Sequence, residues 1–235
     1  MSDVILALDT SSGTRTALVR DGRVLATRTQ LDARAHAEHA TPLVQEVLAE
    51  AGIAVGDLTG IAVGTGPAPF TGLRVGLATA QLLALAVDLP VWGVPSLDAW
   101  AAGAFAADPG LAQVLVATDA RRREVYQASY TRDDRAPGGL RRDGDFAVQR
   151  PVPDPDAGPV TAVGTGTTLY PDAYAVVVAG VDLDLAHLAD IALARVRAGE
   201  PVPLTPLYLR RPDVHGAPGG LEPAGATTTP AAEER

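Results

Sequence analysis

The chain has 235 residues, 47% of them hydrophobic and 20% charged, with 28 acidic residues against 19 basic ones and a formal charge of -9. Every basic residue is arginine, and cysteine is absent. Walker-type phosphate binding, Schiff-base chemistry, thiol nucleophiles, zinc ribbons and disulfide scaffolds are therefore excluded, and so acidic a chain lacks the basic footprint with which a protein grips nucleic acid unaided.

Asp3 and Asp9 stand where an export signal needs a positive flank and a longer apolar run, so a cytoplasmic protein is expected. Residues 4–8 read as a strand ending at Asp9, followed by the turn formers Thr10 to Gly13 and a second strand over 16–19. Asp21 and Gly22 form a hairpin signal before a third strand over 24–29, which predicts a three-stranded antiparallel meander. Ala40, Leu43, Val44, Val47, Leu48 and Ala51 recur at helical spacing, predicting a helix over 37–51 that Gly52 stops. A strand over 58–63, a Gly/Pro loop over 64–71, a helix over 72–87 and a strand over 90–94 follow.

No element is assigned between 94 and 114. The strands 114–118 and 125–130, joined by a turn through Ala120 to Arg123, then repeat the opening meander, with Asp119 placed as Asp9 is. Residues 151–159 read as a proline and aspartate linker, 160–163 as a strand, and 185–197 as a helix with Leu188, Ile191, Ala192 and Val196 inward. The expected organisation is an N-terminal lobe over 1–100, a smaller lobe over 101–211 and a disordered tail over 212–235, the tail being too poor in apolar residues to offset its ordering entropy. Meanders followed by helices point to α/β lobes with mixed sheets.

Five features bear on chemistry. The loop from Gly64 to Gly76 joins a strand to a helix and invites an anion-binding reading, or a rigid connection with Thr71 as helix N-cap. Its two prolines remove donors and favour the second. The helix after it is apolar on nearly every side, so it is either central to its own domain or shared with another chain. Gly72, Gly76, Thr79 and Leu83 form a stripe on it that lets another helix approach. Residues 75–87, broken by Thr79 and Gln81, are read as too short to cross a bilayer, and no membrane association is expected. His36 and His39 are three apart rather than the four of a zinc-peptidase helix, and no third ligand is evident, so no metal is expected. Asp9 is either a catalytic or magnesium-positioning carboxylate at the end of a strand or a turn cap hydrogen-bonding Ser11 and Ser12; Asp119 has the same two readings. The second turn, Ala120 to Glu124, carries three arginines in place of glycines; they suit phosphate by charge, but the turn lacks the small residues of a paired nucleotide clamp.

Together, LALDTSSGTRTALV, GTGPAPFTGLRVGLA, TDARRREVYQASY and PLYLRR resemble the bacterial TsaB (YeaZ) family over about residues 4–211. The resemblance implies an actin-like ATPase superfamily fold (ASKHA, RNase H-like) with two duplicated lobes. It implies a role in making threonylcarbamoyladenosine beside the anticodon of tRNA, as a non-catalytic dimerisation partner of a TsaD transferase in a complex that also engages the ATPase TsaE. Members have also been named peptidases by similarity. The family's partner surface maps onto the first two helices, here His39, Leu43, Gly72, Val75, Gly76, Thr79 and Leu83, and leaves Asp9, Thr10 and Ser11 as a vestigial nucleotide-site turn. ATP or ADP is then expected only at the complex interface, with tRNA contacted only indirectly and a homodimer open to the isolated chain. Ala68 and Pro69 stand where members commonly have Gly-Ser. The alternative, from the same superfamily, is an ATP-dependent small-molecule kinase or ATPase that uses Asp9 and the cleft between lobes.

Overall fold

The computed structural model describes residues 2–31, 36–153 and 160–210. Strands β1 (Val4–Asp9), β2 (Thr14–Arg20) and β3 (Arg23–Gln30) form the expected meander. Asp21 and Gly22, at φ 49° and 75°, make the tight turn between β2 and β3 that the Asp-Gly pair favours. Helix α1 (His36–Ala51) leads to β4 (Gly60–Gly64), α2 (Phe70–Val87), β5 (Val91–Val94) and α3 (Ser96–Ala107). The second half repeats the plan with β6 (Gln113–Asp119), β7 (Val125–Arg132), β8 (Leu140–Gln149), β9 (Thr161–Val163), the short α4 (Thr165–Leu169), β10 (Val176–Val177) and α5 (Leu185–Arg197).

The two sheets share one topology. The first has the order β3-β2-β1-β4-β5 and the second β8-β7-β6-β9-β10. In each, three strands run antiparallel and two join in parallel. The hairpins match in register as well: Asp9 faces Arg15 and Asp119 faces Val125. The internal repeat read from the two aspartates is thus a duplicated α/β fold of the actin-like type.

Successive residues of β1 point into different cores, because side chains alternate along a strand. Leu6 and Leu8 join Val44, Val47, Leu73 and Leu77 of α1 and α2, whereas Ile5 and Ala7 join a second core with α3, α5 and the inner face of the other sheet. That second core includes Trp100, Val116, Tyr130 and Leu188, so the lobes are fused through packed side chains. Each fully buried Leu or Ile contributes about 1.5–3 kcal/mol of apolar transfer.

Several expectations need correction. Helix α3 was not anticipated and runs straight across the expected lobe boundary at residue 100. Nearly all of it is buried, and Arg132 closes its end by donating to the carbonyls of Phe105 (2.6 Å) and Asp108 (3.0 Å). Val196 is exposed, not inward, while Leu188, Ile191 and Ala192 are buried. Residues 154–159 of the linker and 211–235, with the expected tail, lie outside the described residues.

Candidate functional site

The turn after β1 is tightly held. Asp9 is fully buried; its Oδ1 accepts from the Ser11 amide (2.7 Å) and hydroxyl (2.6 Å), and its Oδ2 from the Ser96 hydroxyl (2.5 Å). A Cβ on Gly64 would lie 1.8 Å from Asp9 Oδ2, so the strand beside the turn must carry glycine there. Both carboxylate oxygens are engaged within the chain, the arrangement of a turn cap. Its partners are Ser11 and Ser96; of the two serines read from the sequence, Ser11 is the one bound. Asp119 caps its own turn in the same way, accepting from the Arg121 amide at 2.7 Å, with Arg121 Nη1 at 3.4 Å from Oδ2.

Between the two turns lies a cleft of about 510 Å³. Ser11, Ser12, Thr165 and Thr168 offer hydroxyls to it, and Leu31 and Leu169 give it an apolar rim. Arg121 is the one cation among its described lining residues. Across the cleft, Arg121, Arg122 and Arg123 take φ values of 63°, 53° and 62°, a left-handed turn built without glycine.

The loop before α2 is a rigid connection. Ser96 donates its amide to Gly66 O at 2.7 Å, Thr65 to Val94 O at 2.8 Å, and Leu207 to Thr65 O at 2.9 Å. The helix starts earlier than expected: Pro69 is its N-cap and Thr71 lies inside the first turn, because the fixed φ of proline suits a helix entrance. The segment 201–210 returns along β5, where Gly93 donates to Val202 O at 3.0 Å, and lays Tyr208 on Phe70 with ring centroids 4.8 Å apart. Sequence reading assigned this segment no structure; Gly93 was the available signal, since a Cβ there would meet Pro203 O at 2.1 Å.

The small stripe on α2 is used inside the chain. Thr10 donates its hydroxyl to Gly72 O at 2.9 Å, and a Cβ on Gly76 would sit 2.4 Å from Thr10 Oγ1, so both glycines are buried against the first turn. They do not open a path for an outside helix. Leu43 is also buried, while His39, Val75, Thr79 and Leu83 are half-buried; the side chain of His36 lies outside the described residues. The open face of α2 is instead carried by Leu82 and Leu85, 67% and 81% exposed. Both belong to the all-round apolar pattern, and their spacing of three was the signal for a separate face. At 18 residues with mean hydropathy 1.5, α2 has the length and composition of a membrane span, longer than the sequence suggested, but its inner side packs on the first sheet. Among the described residues, no three His, Cys, Asp or Glu side chains group as metal ligands.

Residues 24–194 match a family model described as TsaD, tRNA N6-adenosine threonylcarbamoyltransferase. A Mycobacterium tuberculosis protein of uncharacterised function is 42% identical over 212 residues, covering 89% of this chain and 92% of that protein. The Escherichia coli tRNA threonylcarbamoyladenosine biosynthesis protein TsaB is 38% identical over 174 residues, covering 72% of this chain and 74% of that protein. The chain belongs to the TsaB/YeaZ family. A solved YeaZ from Pseudomonas aeruginosa superposes with a TM-score of 0.72 at 32% identity, covering 88% of this chain and all of that one. A second solved structure from that organism, described as similar to peptidase YEAZ, gives 0.73. This TsaB-family chain keeps the actin-like duplication, and Ser11 and Ser96 cap Asp9 beside a cleft lined by hydroxyls, leucines, Asp119 and Arg121.

Proposed function

We propose that this chain acts in threonylcarbamoyladenosine modification of tRNA as a non-catalytic scaffold that holds a TsaD-like transferase on helices α1 and α2. The observation that carries this reading is the open apolar face of α2, where Leu82 and Leu85 are 67% and 81% exposed beside the half-buried Val75, Thr79 and Leu83. A face of this kind marks a protein contact. Family membership supplies the partner class, and the engagement of both Asp9 oxygens argues against chemistry at the first turn. A TsaE-like ATPase joins through the complex, ATP or ADP binds only at the complex interface, a homodimer is open to the isolated chain, and the assembly works in the cytoplasm.

Leu82→Arg with Leu85→Glu should abolish co-purification with the transferase while leaving the melting temperature close to that of the parent, because neither side chain is in the core. Threonylcarbamoyladenosine in tRNA hydrolysates, scored by mass spectrometry, should fall when the chain is depleted and should not recover with the double variant. Full recovery would refute the scaffold reading. The cleft of about 510 Å³ favours a second reading, a small-molecule kinase or ATPase. Calorimetric titration of magnesium ATP into the isolated chain separates the two: tight binding lost in Asp9→Ala supports the enzyme, and no binding supports the scaffold.

A further inference from the structure

An acidic chain gathers arginines at one place. Arg121, Arg122 and Arg210 line a pocket of about 290 Å³ that adjoins the main cleft at Pro69, Thr71 and Arg121, and Arg123 is exposed in the same turn. Arg74 joins them from α2, its guanidinium 3.7 Å above the Phe70 ring and its Nε donating to the Tyr208 hydroxyl at 3.1 Å. Two carboxylates pair within this cluster, Asp119 with Arg121 and Glu124 with Arg210. Arg122 has a partner as well, and the five guanidinium groups still outnumber the carboxylates that pair with them among the described residues, on a protein whose formal charge is -9.

The turn that carries three of these arginines adopts left-handed backbone angles at all three, a conformation that glycine or asparagine takes far more readily. All three side chains are exposed, and Arg121 and Arg122 have partners. Backbone strain and like charge are thus both tolerated at one exposed tip. Beside it, Phe70 and Tyr208 border the pocket with aromatic surface, Tyr208 being 38% exposed, and the buried Tyr126 backs it. Guanidinium groups interleaved with aromatic faces suit phosphates in series and a base that stacks between them.

The patch also lies at the opposite end of α2 from the apolar face. Arg74 and Leu85 are eleven residues apart, about 16 Å along the helix at its rise per residue. A protein centred on Leu82 and Leu85 and reaching Val75 therefore ends beside Arg74. We propose that Arg74, the Arg121–Arg123 turn and Arg210 contact the phosphodiester backbone of the tRNA held by the complex, so that the RNA is not met through the partner alone. This inference rests on the scaffold reading above.

The test uses the full chain co-purified with its TsaD-like transferase and titrated with unmodified tRNA across a salt series. Replacing Arg121, Arg122 and Arg123 together by glycine removes the charge and relieves the backbone, so the melting temperature should hold or rise. Affinity for tRNA should fall tenfold or more, and the log-log salt slope should shrink by about two, at roughly 0.7–0.9 for each phosphate no longer neutralised. The triple lysine variant should keep most of the affinity. An assembled glycine variant that binds tRNA with the parent's affinity and slope overturns the proposal, and so does one that loses the transferase while binding tRNA unchanged, which makes the patch a protein contact. A parent chain that never co-purifies with the transferase instead refutes the scaffold reading and takes this inference with it.

Discussion

The two lobes are built on one strand order but covered differently, and the difference locates the chain's working surfaces. In the first lobe α1 and α2 close one face of the sheet and the shared core closes the other, so all six residues of β1 are buried. In the second lobe β6 alternates. Val114 and Val116 are buried, while Leu115 lies on the opposite face with Gln127, Ser129 and Gln149, lining an open pocket. A sheet face open to water admits polar residues, and a helix laid over a sheet has an outer side of its own. Because α2 keeps Leu82 and Leu85 on that outer side, the contact proposed above falls on the first lobe.

The sharpest way to break this contrast is to truncate one leucine in each central strand. Leu6→Ala empties a site in the core beneath α1 and α2, where Leu6 is 1% exposed, and should cost about 2.7–5 kcal/mol in urea unfolding. Leu115→Ala faces the open side and should cost about 1 kcal/mol or less. Comparable losses at the two positions would mean that the second sheet's outer face is covered after all.

The paired turns give the next contrast. Asp9 is buried with three hydrogen bonds, so Asp9→Ala strands the Ser96 hydroxyl and the Ser11 donors and should cost about 2–4 kcal/mol. Asp119, with a side chain 26% exposed, can give its partners to water, and Asp119→Ala should cost about 0.5–1 kcal/mol. An Asp9→Ala chain as stable as the parent would show that the carboxylate is kept for chemistry rather than for the turn.

How much of this was legible follows from where local signals are strong. The Asp-Gly turn, the α1 stripe and the span of α5 were all readable because each is a local pattern, and the Asp9 and Asp119 repeat because both close an apolar strand before a turn. Helix α3 was not. Leu97, Ala99, Trp100, Ala101, Ala104 and Phe105 are buried around most of its circumference, so no polar face gives a period. The Gly72 and Gly76 stripe was visible, but which neighbour filled it was not: Thr10 is more than sixty residues away in sequence. At the candidate site, the capping reading of Asp9 named Ser11 correctly and could not foresee Ser96, for the same reason. The run of arginines was plain in sequence, whereas its meeting with Arg74 and Arg210 depends on how the segment 201–210 returns along β5.

The join between lobes tests whether the comparison concerns two bodies or one. Asp98 of α3, 2% exposed, accepts from the Tyr130 hydroxyl at 2.8 Å and from Arg195 at 2.7 Å, tying β7 to both interlobe helices. Tyr130→Phe removes one of these bonds and should cost about 1–2 kcal/mol near neutral pH. Burial, reinforced by the Asp98 charge, holds the Tyr130 hydroxyl well above the ordinary tyrosine value of 10.0. The folded state therefore keeps a proton that the unfolded chain gives up, so this stabilisation is complete below that value and declines as the pH climbs past it. Burial with Tyr170 nearby raises Tyr174 as well, to about 12, so the alkaline slope of stability should be shallower in Tyr130→Phe without disappearing. An unchanged slope would place Tyr130 in water in the folded state.

The smallest expected effect is at the rim of the same joint, where Arg15 of β2 makes two bonds to Asp182 at 2.8 and 2.9 Å. The two partners are unequal. The Arg15 side chain is 10% exposed and Asp182 67%, and Arg15 Nε is buried without a partner among the described residues. Water competes freely for the carboxylate, so Asp182→Ala should cost only about 0.5–1 kcal/mol. Salt should weaken that contribution, since an exposed carboxylate is screened, while leaving the loss in Tyr130→Phe untouched because Asp98 is buried. Equal salt sensitivity at both positions would mean that solvent reaches Asp98, and the lobes would then be two bodies in contact rather than one core with a polar tie inside it.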